Sequence, residues 1–173
     1  MPGKTNSPAL LREKLDSLIA CFTNKKATRS EMEDGIQTVL EWKQASGVVG
    51  LWNPPPVMVT ATLDDGMGHG LELIHLYARA AGLKLVELGL LQAPDLIIKK
   101  CHEVQARVLG LTVLHQFSDE DAVRIGQAIP EQTLFIAGGA AFFHDPDLAE
   151  EARVDYVAKD ALAFLRFLLN ALG

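Results

Sequence analysis

Basic charge, cysteine and long apolar runs are all scarce in this chain of 173 residues. The formal net charge is −6 at pH 7, which argues against a general nucleic-acid surface because such a surface needs clustered Lys and Arg. The two cysteines, Cys21 and Cys101, form no CxxC motif, and the five histidines lack the spacing of zinc ligands. No apolar run is long enough for a transmembrane helix, so we expect no membrane partner.

What remains is the composition of a globular protein, with 49% hydrophobic and 22% charged residues. The N-terminus has no apolar signal core, which predicts a cytoplasmic protein. The length suits one α/β domain with a short extension. We therefore divide the chain into residues 1–47, an N-terminal helical hairpin, residues 48–56, a Pro-rich linker, and residues 57–173, the main domain.

Helix-start signals and helix breakers define the first two parts. Ser7 followed by Pro8 is typical of a helix start, and the run from Thr28 to Glu31 has the pattern of a capping box for a second helix. The linker carries three consecutive prolines, which cannot continue a helix. Trp52 within it is a candidate to anchor the linker on the domain or to cover a ligand.

Strands and helices alternate from residue 57 onward. Short apolar strands joined by helical crossovers indicate a parallel sheet that is covered on both faces. The expected fold is therefore a flavodoxin-like (Rossmann-like) doubly wound α/β domain with five parallel strands, whose binding site lies at the carboxyl ends of the strands. The predicted strands are 57–63, 83–88, 107–113, 133–137 and 154–158, and the predicted helices are 70–81, 94–103, 118–128, 145–151 and 160–172.

Three motifs fall at these carboxyl ends: Asp-Gly-Met-Gly-His-Gly at 65–70, Thr-Val-Leu at 112–114 and Gly-Gly at 138–139. Together they resemble the cobalamin-binding domain of corrinoid methyl-carrier proteins, methionine synthase and the carbon-skeleton mutases. That family carries Asp-x-His-x-x-Gly after its first strand, Ser-x-Leu or Thr-x-Leu after its third and Gly-Gly after its fourth. The likeness runs from residue 57 to about residue 169, so 57–173 is expected to be a cobalamin-binding-like domain.

The resemblance implies a slot for the cofactor's nucleotide tail between the sheet and the helix after the first strand. Glycines at 138 and 139 would let a planar base approach the backbone, and the Thr112 hydroxyl would offer a hydrogen bond to the tail. The glycines at 66, 68 and 70 would keep the first loop low enough to receive the corrin. The implied cofactor-binding residues are Asp65, Gly66, Met67, Gly68, His69, Gly70, Thr112, Leu114, His115, Gly138 and Gly139.

One position departs from the family pattern. Met67 stands where the family has the histidine that ligates cobalt from below, and a thioether is a soft ligand that does not replace imidazole on cobalt(III). Asp65 therefore lacks the partner it has in the family. His69 could reach the metal only through a rearranged loop, so the cobalt ligand stays unassigned. We interpret His75 and His102 as surface or packing residues.

The resulting hypothesis is a cobalamin (corrinoid)-binding protein that lacks the usual lower-ligand histidine. It would carry a methyl group or serve as an accessory partner of a corrinoid-dependent methyltransferase, rather than form a complete enzyme, and the sequence leaves a homo-oligomer open. The alternatives are a sensor domain that binds cobalamin or haem, and a degenerate scaffold that acts through protein contacts. A nucleotide-binding domain is disfavoured because the glycines at 66, 68 and 70 do not have GxGxxG spacing.

Overall fold

The computed structural model describes residues 7–66 and 69–173, with only the backbone described for His69. Five parallel strands form one sheet in the order β2-β1-β3-β4-β5, which confirms the predicted flavodoxin-like fold. The strands are β1 (Val57–Thr62), β2 (Lys84–Gly89), β3 (Val108–Thr112), β4 (Leu134–Gly138) and β5 (Tyr156–Val157). The helices are α1 (Pro8–Thr23), α2 (Arg29–Ser46), α3 (His69–Ala81), α4 (Pro94–Glu103), α5 (Asp119–Ala128), α6 (Ala140–His144), α7 (Pro146–Glu151) and α8 (Ala161–Ala171), and a 3-10 helix spans Gln116–Ser118.

Helices cover both faces of the sheet, and each face has its own hydrophobic core. Helices α3 and α8 pack on one face, together with inward side chains such as Met58 and Ile136. Helices α4 to α7 pack on the other face, against side chains such as Val59, Leu109 and Phe135. Alternate residues of a strand point to opposite faces, so neighbouring residues of the same strand serve different cores.

The N-terminal hairpin adds a further layer outside α3 and α8. The capping box at the start of α2 is present: the Glu31 amide donates to the Thr28 hydroxyl, and the Thr28 amide donates to the Glu31 carboxylate. Buried side chains of the hairpin, including Leu15 and Ile36, belong to the same core as α3 and α8. The hairpin thus shares its hydrophobic core with the main domain.

The linker is fixed to the C-terminal helix. The Trp52 indole donates a hydrogen bond to the carbonyl of Leu172 at 2.9 Å, and the Leu51 amide bonds the carbonyl of Ala81. Of the two roles considered for Trp52, the structure therefore shows the anchoring contact. In the described parts of the chain, no helix combines the length and the apolar character needed to cross a membrane.

Two elements differ from the sequence-based prediction. The last strand pairs over only Tyr156–Val157, because at Asp155 the Phe135 amide donates to the side-chain carboxylate and not to a backbone carbonyl. A short helix, Ala140–His144, follows the glycine pair, where the prediction assigned no helix. This helix buries Ala141 and Phe142 in the core beneath α5 and α7, and five residues are too few for a periodic pattern to indicate it.

Candidate functional site

Asp64 ties together three loops at the carboxyl edge of the sheet. Its carboxylate Oδ2 accepts the amide N–H groups of Leu114 at 2.8 Å and His115 at 3.0 Å, in the loop after β3. Its backbone carbonyl accepts the amide of Leu91, in the loop after β2. The buried Asp64, just after β1, therefore fixes the positions of the loops after β2 and β3 relative to its own loop.

The predicted loop 65–70 is only partly within the described residues. Met67, Gly68 and the His69 side chain lie outside them, so the placement of the candidate cobalt ligands is not described. Asp65 is exposed, and its carboxylate lies 3.8 Å from Nε2 of the exposed His115. Gly66 faces the Leu114 side chain so closely that a Cβ at this position would overlap it. A side chain at position 66 would have to displace the Leu114 side chain, so the glycine allows the loops after β1 and β3 to pack closely.

A cavity of about 390 Å³ opens between the sheet and the helices α3 and α8. This volume lies within the range of small-molecule sites, and the lining is mostly apolar with a few polar groups, as such sites require. Strand residues Met58, Gly110, Thr112, Ile136 and Gly138 line it from the sheet. From the other side it is lined by Gly70, Leu71, Leu73 and Ile74 of α3, by Ala161 and Phe164 of α8, and by Arg29 and Met32 of α2.

The missing side chain of Gly138 creates part of this space. A Cβ on Gly138 would approach only the carbonyl of Ala158, at 3.5 Å, so a side chain there would project into the cavity. A Cβ on Gly110 would lie 2.7 Å from the Met58 methyl group. Glycine in the interior of a buried strand often marks the close approach of a ligand. A ligand in the cavity can therefore approach the backbone of β4 directly at Gly138.

The two glycines of the 138–139 pair have different roles. Gly138 pairs with Thr112 across the sheet and lines the cavity. Gly139 has φ +103, and a Cβ on it would overlap the carbonyl oxygen of Val113. Gly139 is thus required for the turn into α6, and Gly138 is required for the open volume.

Two buried polar atoms beside the cavity have no hydrogen-bond partner among the described residues. They are the Thr62 hydroxyl, on the strand next to Thr112, and Oδ1 of Asp64. Buried polar atoms are usually paired, and an unpaired one costs about 1–3 kcal/mol. In the part of the chain that the structure describes, the carboxyl end of β1 therefore carries polar atoms without a hydrogen-bond partner close to the predicted ligand site.

Six of the predicted residues line the cavity: Gly66, Gly70, Thr112, Leu114, Gly138 and Gly139. Asp65 and His115 do not line it and stand at the exposed edge. Sequence reasoning missed Gly110, Met32 and Asp64. A signal existed for Gly110, since glycine is unusual inside a run of buried strand residues.

The remaining histidines interpreted as packing residues have structural contacts. His75 is buried, with Nε2 2.8 Å from the Thr60 hydroxyl and Nδ1 3.3 Å from the Glu87 carboxylate. Burial lowers its pKa, a shift that Glu87 and Glu72 oppose and Arg79 supports. His102 places Nε2 2.8 Å from the carbonyl of Ala128. In the described part of the chain, no group of three or more His, Cys, Asp or Glu side chains could hold a metal ion.

Exposed apolar side chains surround the carboxyl edge. Large ones stand in the loop after β2, at the start of α4, in the 3-10 helix after β3 and in α6. We call these residues the apolar rim: Leu90, Leu91, Leu96, Phe117 and Phe143. Large exposed apolar side chains at one edge of a domain are often part of binding sites for proteins or large ligands.

Comparison with known proteins finds relatives by structure alone. No family model matches the chain, and no curated protein matches it. A cobalamin-binding protein from Desulfitobacterium hafniense DCB-2 superposes with a TM-score of 0.80 and 14% identity, over 95% of this chain and 82% of that one. The methanol:cobalamin methyltransferase complex of Methanosarcina barkeri gives a TM-score of 0.65 and 15% identity, over 95% of this chain and 67% of the matched chain.

A third structure, the monomethylamine corrinoid protein of Methanosarcina barkeri, gives a TM-score of 0.58 and 14% identity, over 93% of this chain and 80% of that one. At these identities the likeness establishes a common architecture. The matched part includes the N-terminal hairpin, since it spans more than nine tenths of this chain. The chain thus has the α/β fold of these cobalamin-binding and corrinoid proteins.

Proposed function

We propose that this protein binds cobalamin, with the nucleotide tail of the cofactor in the cavity between the sheet and α3, and that it serves as a methyl-group carrier. The observation that carries the proposal is the cavity itself, which lies where the sequence motifs place a tail slot and is lined by Thr112 and Gly138. The fold shared with proteins named for cobalamin and corrinoids supports the same ligand.

The residues around the cavity suit the parts of such a tail. Gly138 leaves room for a planar base against the backbone of β4. Thr112, half-buried, offers a hydroxyl to a polar atom of the tail. The apolar side chains of Ile136 and Phe164 exclude water from the base, which favours its transfer out of solvent.

The corrin would be held at the carboxyl edge by the loops after β1 and β3. Gly66 and Leu114 pack against each other there, and Asp64 fixes the second loop through its two backbone hydrogen bonds. Bound cobalt supplies the methyl-transfer chemistry, and the chain supplies binding, orientation and protection. Because Met67 occupies the histidine position of the motif, we propose that no imidazole from that position ligates the metal.

A separate protein would provide the methyltransferase activity. The apolar rim supports this part of the proposal, because its exposed Leu and Phe side chains, in the loops and helices that follow β2, β3 and β4, are suited to a protein contact. The fold is also that of a chain in a methanol:cobalamin methyltransferase complex. A partner that covers the edge would place its substrate beside the cofactor.

The test measures retention of the cofactor by the wild-type protein and by a variant whose cavity is filled by a new side chain. Hydroxocobalamin should remain with the wild-type protein through gel filtration at micromolar concentration. Gly138→Leu should abolish retention because the new side chain fills the cavity. Ala140→Leu is the matched control, since Ala140 is exposed on the same edge, two residues away, and does not line the cavity.

Two results would contradict the proposal. Failure of the wild-type protein to retain hydroxocobalamin would remove it and would favour a scaffold that acts through protein contacts. Equal retention by Gly138→Leu and wild-type protein, with circular dichroism showing both folded, would place the cofactor elsewhere. A Soret band in the spectrum of the purified protein would instead favour the haem-binding alternative.

A further inference from the structure

The second helix of the hairpin runs alongside α3 and brings its first turns to the cavity. At one end, Arg29 lies 3.4 Å from Glu72 in the first turn of α3. At the other end, the Lys43 ammonium donates to the carbonyl of Arg79 in the last turn of α3 at 2.5 Å. The two helices are therefore parallel, and the N-terminal end of α2 points toward the carboxyl edge of the sheet.

Contacts with α3 and the core fix the backbone of α2 at Met32. The buried Tyr77 of α3 donates its hydroxyl to the Met32 carbonyl at 3.2 Å, and Ile36, one turn further along α2, is fully buried in the core shared with α3 and α8. The Met32 side chain itself is half-buried and lines the cavity opposite the strands. Its backbone is thus fixed while its side chain faces open volume.

Arg29, the other cavity-lining residue of α2, already has two acidic partners. Its guanidinium lies 2.6 Å from the Glu33 carboxylate and 3.4 Å from that of Glu72. These contacts neutralise its charge and hold it across the gap between α2 and α3. Met32 is therefore the residue of this helix that is free to contact an apolar ligand.

We infer that the hairpin forms a wall of the ligand cavity, and that Met32 determines the size of the aromatic base that the cavity accepts. The inference rests on the proposed function and adds the class of ligand: corrinoids that carry a bulky nucleotide base, as opposed to corrinoids without one. A methionine side chain is unbranched and polarizable, so it adapts to the face or edge of a flat ring. Binding of the tail would then also stabilise the docking of α2 on α3.

The experiment compares two ligands and two positions on α2. Cobalamin carries the nucleotide tail, and cobinamide lacks it. Leu40 is the matched control for Met32, because it is also half-buried on α2 and packs against the same core, but it does not line the cavity. The variants are Met32→Trp, Met32→Ala, Leu40→Trp and Leu40→Ala, and the dissociation constants are measured by absorbance titration.

Met32→Trp should weaken cobalamin binding by about tenfold or more because it overfills the cavity, and it should leave cobinamide binding within about twofold of wild type. Met32→Ala should weaken cobalamin binding by a smaller factor through the loss of contact with the base. Both Leu40 variants should bind both ligands as the wild type does. Equal affinity of wild type and the Met32 variants for cobalamin would overturn the inference while the proposed function stands.

Hydrogen exchange on the wild-type protein gives a second test that does not depend on a variant's folding. Cobalamin should slow amide exchange in the first turns of α2, including the Met32 amide that bonds the Thr28 carbonyl, and cobinamide should not. Unchanged exchange in α2 with cobalamin bound would contradict the inference. If the wild-type protein bound cobinamide and cobalamin equally weakly, or neither, the proposed function would fall together with it.

Discussion

The two faces of the sheet differ in what their strands present. On the α4–α7 face, the inward side chains of β1, β3 and β4 are all apolar and close-packed, including Val59, Leu109 and Phe135. On the α3–α8 face, the same strands present Thr60, Thr62, Gly110, Thr112 and Gly138 beside the apolar Met58 and Ile136. One face is a filled core, and the other keeps a cavity and buried hydroxyls.

This difference indicates that one face of the sheet mainly stabilises the fold and that the other is suited to bind a ligand. A filled apolar core stabilises the fold through burial and packing. A cavity whose lining includes several glycines and Thr112 forgoes some of that stabilisation, and such sites are where function is expected. We call the α4–α7 face the closed face and the α3–α8 face the open face. We therefore expect substitutions on the closed face to change the free energy of unfolding, and substitutions on the open face to change ligand retention.

The largest effect is expected from Leu109→Ala on the closed face. Leu109 is fully buried, so the change should lower the free energy of unfolding by about 3 kcal/mol, from lost transfer energy and the cavity left behind. Urea denaturation measures this loss. Cobalamin retention by the folded fraction should not change, and a clear loss of retention would show that the two faces do not act separately.

A pair of glycines gives a sharper comparison. A Cβ on Gly126 of α5 would overlap the carbonyl oxygen of Ala152 and lie 3.2 Å from the Phe135 ring. Gly126→Ala should therefore push α5 away from α7 and cost about 2 kcal/mol, measured as a shift in the thermal midpoint.

Gly138→Ala is the counterpart on the open face. Its Cβ would meet only the Ala158 carbonyl at 3.5 Å, so the free energy of unfolding should change by less than about 1 kcal/mol. A loss as large as that of Gly126→Ala would mean that the open face has no spare volume at this position.

Local patterns in the sequence predict most of the fold. Strand and helix positions from residue 57 onward follow from apolar runs and glycine or proline boundaries, and the bounds of α4 are as predicted, Pro94–Glu103. The packing of the hairpin on α3 and α8 could not be predicted, because the amphipathic stripe of a helix does not say which surface it covers.

Part of the cavity lining was also predictable. The motifs brought Thr112 and Gly138 to one cavity, because the carboxyl ends of neighbouring parallel strands must meet. They did not reveal that Asp64, and not Asp65, is the buried acidic residue. Adjacent side chains near the end of a strand point in opposite directions, and the motifs do not say which of the two points inward. Met32 lines the cavity only because α2 packs on α3, and a contact between distant parts of the chain leaves no local pattern in the sequence.

A smaller effect is expected at the edge where the two faces meet. Asp64→Ala removes the acceptor of two backbone N–H groups and should cost about 1.5 kcal/mol. Amide exchange at Leu114 and His115 should accelerate. Asp64→Asn keeps an acceptor oxygen and should preserve protection of both amides. If exchange at these amides stayed slow in Asp64→Ala, the carboxylate would not be what holds the loop.

The smallest effect concerns His75 on the open face. Burial lowers its pKa below the ordinary 6.5, against the opposing influence of Glu87, so the folded protein holds the neutral ring beside Thr60. As the pH falls through 6.5, the unfolded chain takes up the proton before the folded one does, and stability is lost progressively from there downward. We expect the free energy of unfolding to fall by less than about 1 kcal/mol between pH 7.5 and 5.5 from this group.

Urea denaturation of the wild type and of His75→Gln at both pH values isolates the contribution, because the other titrating groups are common to the two proteins. His75→Gln should lose less stability than the wild type over this range. An equal loss in both would show that protonation of His75 is tolerated in the folded protein. A positive charge on His75 beside the Thr60 hydroxyl would then not destabilise the open face. The difference between the two faces would in that case be a difference in packing alone.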